Sequence, residues 1–134
     1  MTMINYLLTL IGLGIIIPID ITYLTINKNF YSQIIDPNEK INWIYVITTW
    51  LLIIISIQLL VLSQPHVNES NVFINGIFLG LAMYGVYNLT SASIYPSKWT
   101  NQIIIGDTVW GMSLTGMVSL FLYWISKSNY NLSV

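Results

Sequence analysis

The chain has 134 residues, 55% of them hydrophobic and only 7% charged, with five acids against four bases and a formal net charge of −1. A mean hydropathy of +0.71 excludes an ordinary soluble domain, and the length suits one small polytopic membrane domain over residues 1–134. The bases are four scattered lysines, Lys28, Lys40, Lys98 and Lys127, which excludes a phosphate-tracking stripe and with it nucleic acid as a partner. The absence of cysteine excludes disulfides, thiolate metal ligands, a cysteine nucleophile and palmitoylation.

Taken in chain order, four apolar runs stand out: Met3 to Ile26, Ile41 to Leu62, Val72 to Ser93 and Gln102 to Ile125. Each reaches the roughly 20 residues that cross about 30 Å of hydrocarbon as helix. The first lacks a basic leader and a small-residue cleavage site, so it is expected to persist as a span. Inside it, Pro18 removes the amide that would bond the Gly14 carbonyl, which predicts a kink. The isoleucine-rich runs do not argue for strands, because an open sheet in lipid would leave its edges unsatisfied.

Between the first two runs, Phe30, Tyr31, Ile34 and Ile35 recur at helical spacing among polar residues, the pattern of a short helix lying in the interface. Asp36-Pro37-Asn38-Glu39 then reads as an N-cap, a first-turn proline and a glutamate three residues on, predicting the start of the second long helix there. The second connection carries Pro65 and the single histidine, His66; the third carries Tyr95, Pro96 and Trp99. With Trp43, Tyr45, Tyr123 and Trp124, these rings lie near predicted span ends, where aromatics anchor at headgroup level. The expected fold is all-α: a four-helix transmembrane bundle with a short interfacial helix between helices 1 and 2. Three of the four lysines lie in or beside connections 1 and 3, which the positive-inside rule places in the cytoplasm.

Two carboxylates fall inside these runs. Asp20 lies six residues before the end of the first and Asp107 five residues after the start of the fourth, both roughly 8 to 9 Å below the same interface. An acid at bilayer depth costs roughly 2.5 to 3.5 kcal/mol on insertion scales, so it is expected to face the bundle interior. The third run adds Tyr84, Tyr87, Asn88 and Ser91 at i, i+3, i+4 and i+7, one polar face of a helix, continued by Gly76 and Gly80. Tyr23 shares the side of Asp20, while Gly111, Thr115 and Trp110 accompany Asp107. Asp20 and Asp107 are therefore the proton- or cation-handling candidates. Tyr23, Tyr84, Tyr87, Asn88, Ser91 and Trp110 form their supporting or ligand-binding shell, and Gly76, Gly80 and Gly111 the close-packing positions.

Such a cluster fits a proton- or cation-linked carrier or a lipid or small-ligand pocket, with no catalytic residue, metal or cofactor expected. The expected partners are the bilayer, a further copy of the chain meeting at Gly76 and Gly80, and a lipid, cation or small hydrophobic ligand. The same groups, bonding only one another, would instead serve a structural membrane or virion-envelope component. An intramembrane aspartyl hydrolase is the remote alternative: two acids sharing a proton could activate water, and Gly106-Asp107 has part of the motif, but Ile104 stands where a glycine belongs. Metal hydrolase or desaturase chemistry wants several histidines or cysteines, and only His66 is present.

The residues Tyr84-Gly-Val-Tyr87-Asn88-Leu89-Thr90-Ser91, then Trp99 and Gly106-Asp107-Thr108-Val109-Trp110-Gly111, preceded by Asp20-Ile-Thr-Tyr23-Leu24 and Phe30-Tyr31, occur in an order that resembles a family of small membrane proteins, domain of unknown function 2177. The resemblance covers most of the chain and implies a four-helix integral membrane fold without a defined activity. The family's tyrosine-rich helix usually continues with an aspartate where this chain has Asn88 and an asparagine where it has Ser91, which removes one acid from the cluster.

Overall fold

A computed structural model of the protein describes residues 4–36, 38–65 and 67–128. Helix α1 is Tyr6–Ile26, α2 the single turn Lys28–Tyr31, α3 Trp43–Ser56, α4 Glu69–Ile94 and α5 Asn101–Ser128. Helix α3 continues without a break as a π-helix over Ile57–Leu62. Four helical stretches are long and apolar enough to cross a membrane, Tyr6–Ile26, Trp43–Leu62, Glu69–Ile94 and Asn101–Ser128, and the described residues contain no strand. The bundle and its short helix between the first two long ones are as the hydropathy pattern predicts.

Asparagine sets three of the helix starts. Asn5, Asn42 and Asn68 have extended backbones, and their side chains accept the amides of Leu8, Ile44 and Asn71 at 3.0, 3.1 and 3.0 Å. This corrects the expected start of the second long helix at Asp36. The Asp36 carboxylate instead accepts the Asn38 amide at 2.9 Å, a local turn, and Asn42, directly before the apolar run, caps the helix. Pro37 lies outside the described residues. Helix α1 runs through Pro18 as one element, with the Thr22 hydroxyl donating to the Pro18 carbonyl at 2.6 Å.

The tightest packing is the antiparallel α4–α5 hairpin. A Cβ on Gly76 would lie 2.7 Å from Ser119 Oγ and 2.9 Å from the Thr115 carbonyl oxygen; one on Gly80 would lie 2.5 Å from the Gly111 carbonyl oxygen. The two backbones therefore touch only because the side chains are missing, the device that lets lipid-embedded helices associate without a hydrophobic driving force. Thr115 fastens the seam: its hydroxyl lies 2.7 Å from both the Gly76 and Gly111 carbonyl oxygens. Gly76 and Gly80, expected to receive a second copy of the chain, are thus occupied by α5 of the same chain.

Helix α1 packs on α3 through Gly12, where a Cβ would come 2.8 Å from Ile54 Cγ2. Leu8, Ile16, Trp50, Ile54, Ile57, Leu114 and Val118 fill the centre. Above the π-turn, α3 and α1 make few close approaches to α4. Large apolar side chains such as Leu10, Ile47, Phe78, Leu89 and Ile105 are exposed around the outside, the surface a bilayer would cover. In the π-helix the Ser63 amide reaches back five residues to the Gln58 carbonyl. The fully buried Gln58 side chain accepts the Asn5 amide at 2.9 Å and donates to Thr9 Oγ1 at 2.7 Å, fixing the start of α1 to the end of α3.

Candidate functional site

Asp20 stands six residues before the end of α1 and Asp107 six after the start of α5, on the same side of the bundle. The Trp50 indole of α3 donates to Asp20 Oδ2 and the Trp110 indole of α5 to Oδ1, each at 2.9 Å. An indole N–H can only donate, so both rings need an acceptor when buried, and one carboxylate serves both. The Tyr23 ring, one turn beyond Asp20, stacks on Trp110 with centroids 3.7 Å apart and planes 2° from parallel. Its edge then meets Tyr31 at 6.2 Å.

Asp107 has a different pair of donors. Its Oδ1 accepts the Tyr31 hydroxyl at 2.8 Å, and its Oδ2 accepts Asn88 Nδ2 at 2.7 Å. Asn88 is fully buried and both amide hydrogens are used: Nδ2 also donates to the Tyr84 carbonyl at 2.9 Å, while Oδ1 accepts the Trp99 indole at 3.0 Å. Tyr31 can reach inward because α2 docks on α5 at Gly106, where a Cβ would lie 2.8 Å from the Phe30 ring. Burial first, then its neighbours Tyr23 and Asp107, raise the Tyr31 phenol above the ordinary tyrosine range, so it stays protonated and donates.

Both carboxylates open onto one cavity of about 430 Å³, in the range of small-molecule sites. Tyr84, Tyr87 and Trp110 supply aromatic walls, Leu24, Ile53 and Met83 apolar ones, and Thr49 a hydroxyl. Tyr84 lies over Gly111, whose missing Cβ makes room for the ring, and within electrostatic reach of both Asp20 and Asp107. Every described donor to the two acids is neutral, and all four lysines are exposed. No described hydrogen bond joins Asp20 to Asp107.

The bundle thus brings Asp20, Asp107, Tyr84, Tyr87 and Trp110 to one cavity, with Asn88 and Tyr23 directly behind it. Ser91 does not line it; its carbonyl accepts the Tyr95 amide where α4 ends. Gly111 lies under the site, and Gly76 and Gly80 lie deeper along the α4–α5 seam. Sequence reasoning missed three donors. Tyr31 read as part of a short interfacial helix and Trp99 as a headgroup anchor near a span end, and Trp50 is one more apolar residue within its run. The usable signal was satisfiability: an indole in mid-span needs an acceptor, and Asp20 is a side-chain acceptor at the same depth. Among the described residues no group of three histidine, cysteine or acidic side chains could hold a metal. His66 lies outside the described residues.

Comparison with curated proteins and with solved structures gives no significant match. A family model described as "Predicted membrane protein (DUF2177)" matches residues 2–124, a stretch that includes all five helix starts and every member of the cluster. The protein accordingly belongs to the DUF2177 family of predicted membrane proteins.

Proposed function

We propose that the protein binds a positively charged group in an acid-lined pocket inside the membrane, as a cation- or proton-linked carrier does. The observation that carries this reading is that Asp20 and Asp107 line one cavity whose described donors are all neutral. Two carboxylates without a cationic partner leave the site electrostatically open to a cation, and each oxygen, having accepted one donor, keeps acceptor capacity. Transfer of a cation into the cavity would supply the missing charge. In this reading connections 1 and 3, with their lysines, face the cytoplasm, and so does the cavity's nearer end.

The hydrogen bonds also favour a second reading. Asp20 joins α1 to α3 and α5, and Asp107 joins α5 to α2 and α4. A purely structural membrane or envelope component would use the acids as this glue and nothing more. The hydrolase alternative wants carboxyls close enough to hold one proton between them, and it draws no support from acids that each bond a separate pair of donors.

The test is to replace Asp20 and Asp107 with asparagine, singly and together, and to measure tetramethylammonium uptake into proteoliposomes at matched amounts of folded protein. The carrier reading expects uptake to fall at least tenfold in each variant. Wild-type uptake per folded molecule in the variants, or no uptake at all by the wild type, leaves the structural reading in its place.

A further inference from the structure

The charge in the cavity is confined to one level of the bundle. Asp20, Thr49, Tyr87 and Asp107 each lie six or seven residues from the helix end facing connections 1 and 3, a common depth of roughly 9 to 10 Å. Ile53 and Met83, four residues further in on α3 and α4, form the floor about one turn deeper. Tyr84 and Trp110 stand nine or ten residues in, level with Ile53 and Met83, so the inner end is apolar and aromatic and carries no charge, while both acids lie about one turn nearer the helix ends.

The cavity also has a side opening. It lies where α4 is tied tightly to α5 but makes few close approaches to α1 and α3. Three lining residues, Leu24 on α1, Thr49 on α3 and Tyr87 on α4, are exposed. A gap between two spanning helices faces acyl chains, and a molecule dissolved in the membrane can enter there without crossing water.

The donor chemistry narrows the charged group further. A hard inorganic cation wants six or more oxygen ligands, whereas the two carboxylates supply four oxygens, each of which also holds an N–H or O–H donor. An organic ammonium asks for less: a nearby negative charge and aromatic faces. Both are present in Asp20 and Asp107 and in the rings of Tyr84, Tyr87 and Trp110.

Resting on the reading given under Proposed function, we infer that the ligand is a single-tailed amphiphile with an ammonium head. It enters sideways from the bilayer between α3 and α4, its head meeting Asp20 and Asp107 and its tail lying toward Ile53 and Met83. A soluble cation entering end-on would need neither the lateral gap nor the apolar floor.

The experiment uses the full chain in nanodiscs and three radiolabelled probes: dodecyltrimethylammonium, tetramethylammonium and dodecyl sulfate, each counted above uptake by empty nanodiscs. The wild type is compared with Asp20→Asn/Asp107→Asn and with Thr49→Trp, which narrows the gap from an exposed position. The inference expects dodecyltrimethylammonium to bind at least tenfold more tightly than tetramethylammonium and dodecyl sulfate to show no specific binding. It also expects loss of dodecyltrimethylammonium binding in the double variant and a tenfold or greater slowing of its association in Thr49→Trp. Equal, acid-dependent binding of both ammonium probes, indifferent to Thr49→Trp, overturns the inference while leaving an acid-lined cation pocket. Specific binding of dodecyl sulfate comparable to that of the ammonium amphiphile also overturns it. Absence of binding by either ammonium probe to the wild type overturns both proposals, and the wild-type comparison stands even where a variant fails to fold.

Discussion

Replacing Gly80 with alanine tests the α4–α5 seam on which the site is mounted. The added Cβ would lie 2.5 Å from the Gly111 carbonyl oxygen and 2.7 Å from Met112 Cα, where ordinary contact begins at 3.4 Å. Because these are backbone atoms, no rotamer change relieves them and α5 must retreat by up to about 1 Å. Overpacking of this kind costs about 1–3 kcal/mol. The retreat also stretches the Thr115 bond to Gly76, and interhelical hydrogen bonds in membranes average about 0.6 kcal/mol. Gly14→Ala is the matched control, since a Cβ there meets nothing within 4 Å. Both substitutions gain the same roughly 1 kcal/mol of helix propensity, so their difference isolates the seam at about 2–4 kcal/mol. That difference is a factor of about 30 to 10³ in the unfolding equilibrium. It is measured by steric trapping in bicelles or by reversible unfolding in mixed micelles. Equal stability of Gly80→Ala and Gly14→Ala would refute the close approach of the two backbones.

Further outcomes follow from individual contacts. Trp50→Phe removes one of the two donors to Asp20 while keeping most of the ring volume, and should cost about 1–2 kcal/mol. The loss should shrink in an Asp20→Asn background, as a double-mutant cycle would show. Gln58→Leu removes the bond Gln58 accepts from the Asn5 amide and the one it donates to the Thr9 hydroxyl, so amide exchange in the first turn of α1 should rise about tenfold, for a loss of about 1.4 kcal/mol. Tyr31 should ionise at higher pH in the folded protein than an ordinary tyrosine, seen as late-rising tyrosinate absorbance that is missing in Tyr31→Phe. Its raised phenol pKa makes its stabilising contribution complete below the ordinary tyrosine value near 10, and lost progressively as pH rises above it, because the unfolded chain ionises first. Denaturation curves at pH 8 and pH 11, with and without Tyr31→Phe, check the sign.

The spans were legible because length and hydropathy are local: each of the four runs is apolar over at least 18 residues whatever it packs against. The depth of Asp20 and Asp107 followed from counting residues, and the polar face of α4 from helical spacing. What could not be read were pairings decided by the third dimension. An i, i+4 pattern marks Gly76 and Gly80 as a contact but does not say whether α5 or a second copy fills it. Phe30 and Tyr31 carry the signature of an interfacial turn, and only the absent side chain of Gly106 lets that turn dock so that Tyr31 reaches Asp107. Trp50 offers no periodic signal in a helix apolar all round; its role follows from the need of a buried indole for an acceptor. The π-turn at Gln58 has no local sequence signal at all. The two acids each have their own pair of donors, and what unites them is the cavity they line.

The central claim is that Asp20 and Asp107 act on one bound cation, and the most direct measurement is a double-mutant cycle on dissociation constants. Tetramethylammonium or its dodecyl relative is titrated against the wild type, Asp20→Asn, Asp107→Asn and the double variant, each corrected for its folded fraction. The account predicts a loss of tenfold or more in each single variant and a double variant weaker than either single. Affinities that stay at the wild-type value in all three folded variants would contradict it and leave the acids as fasteners of the bundle.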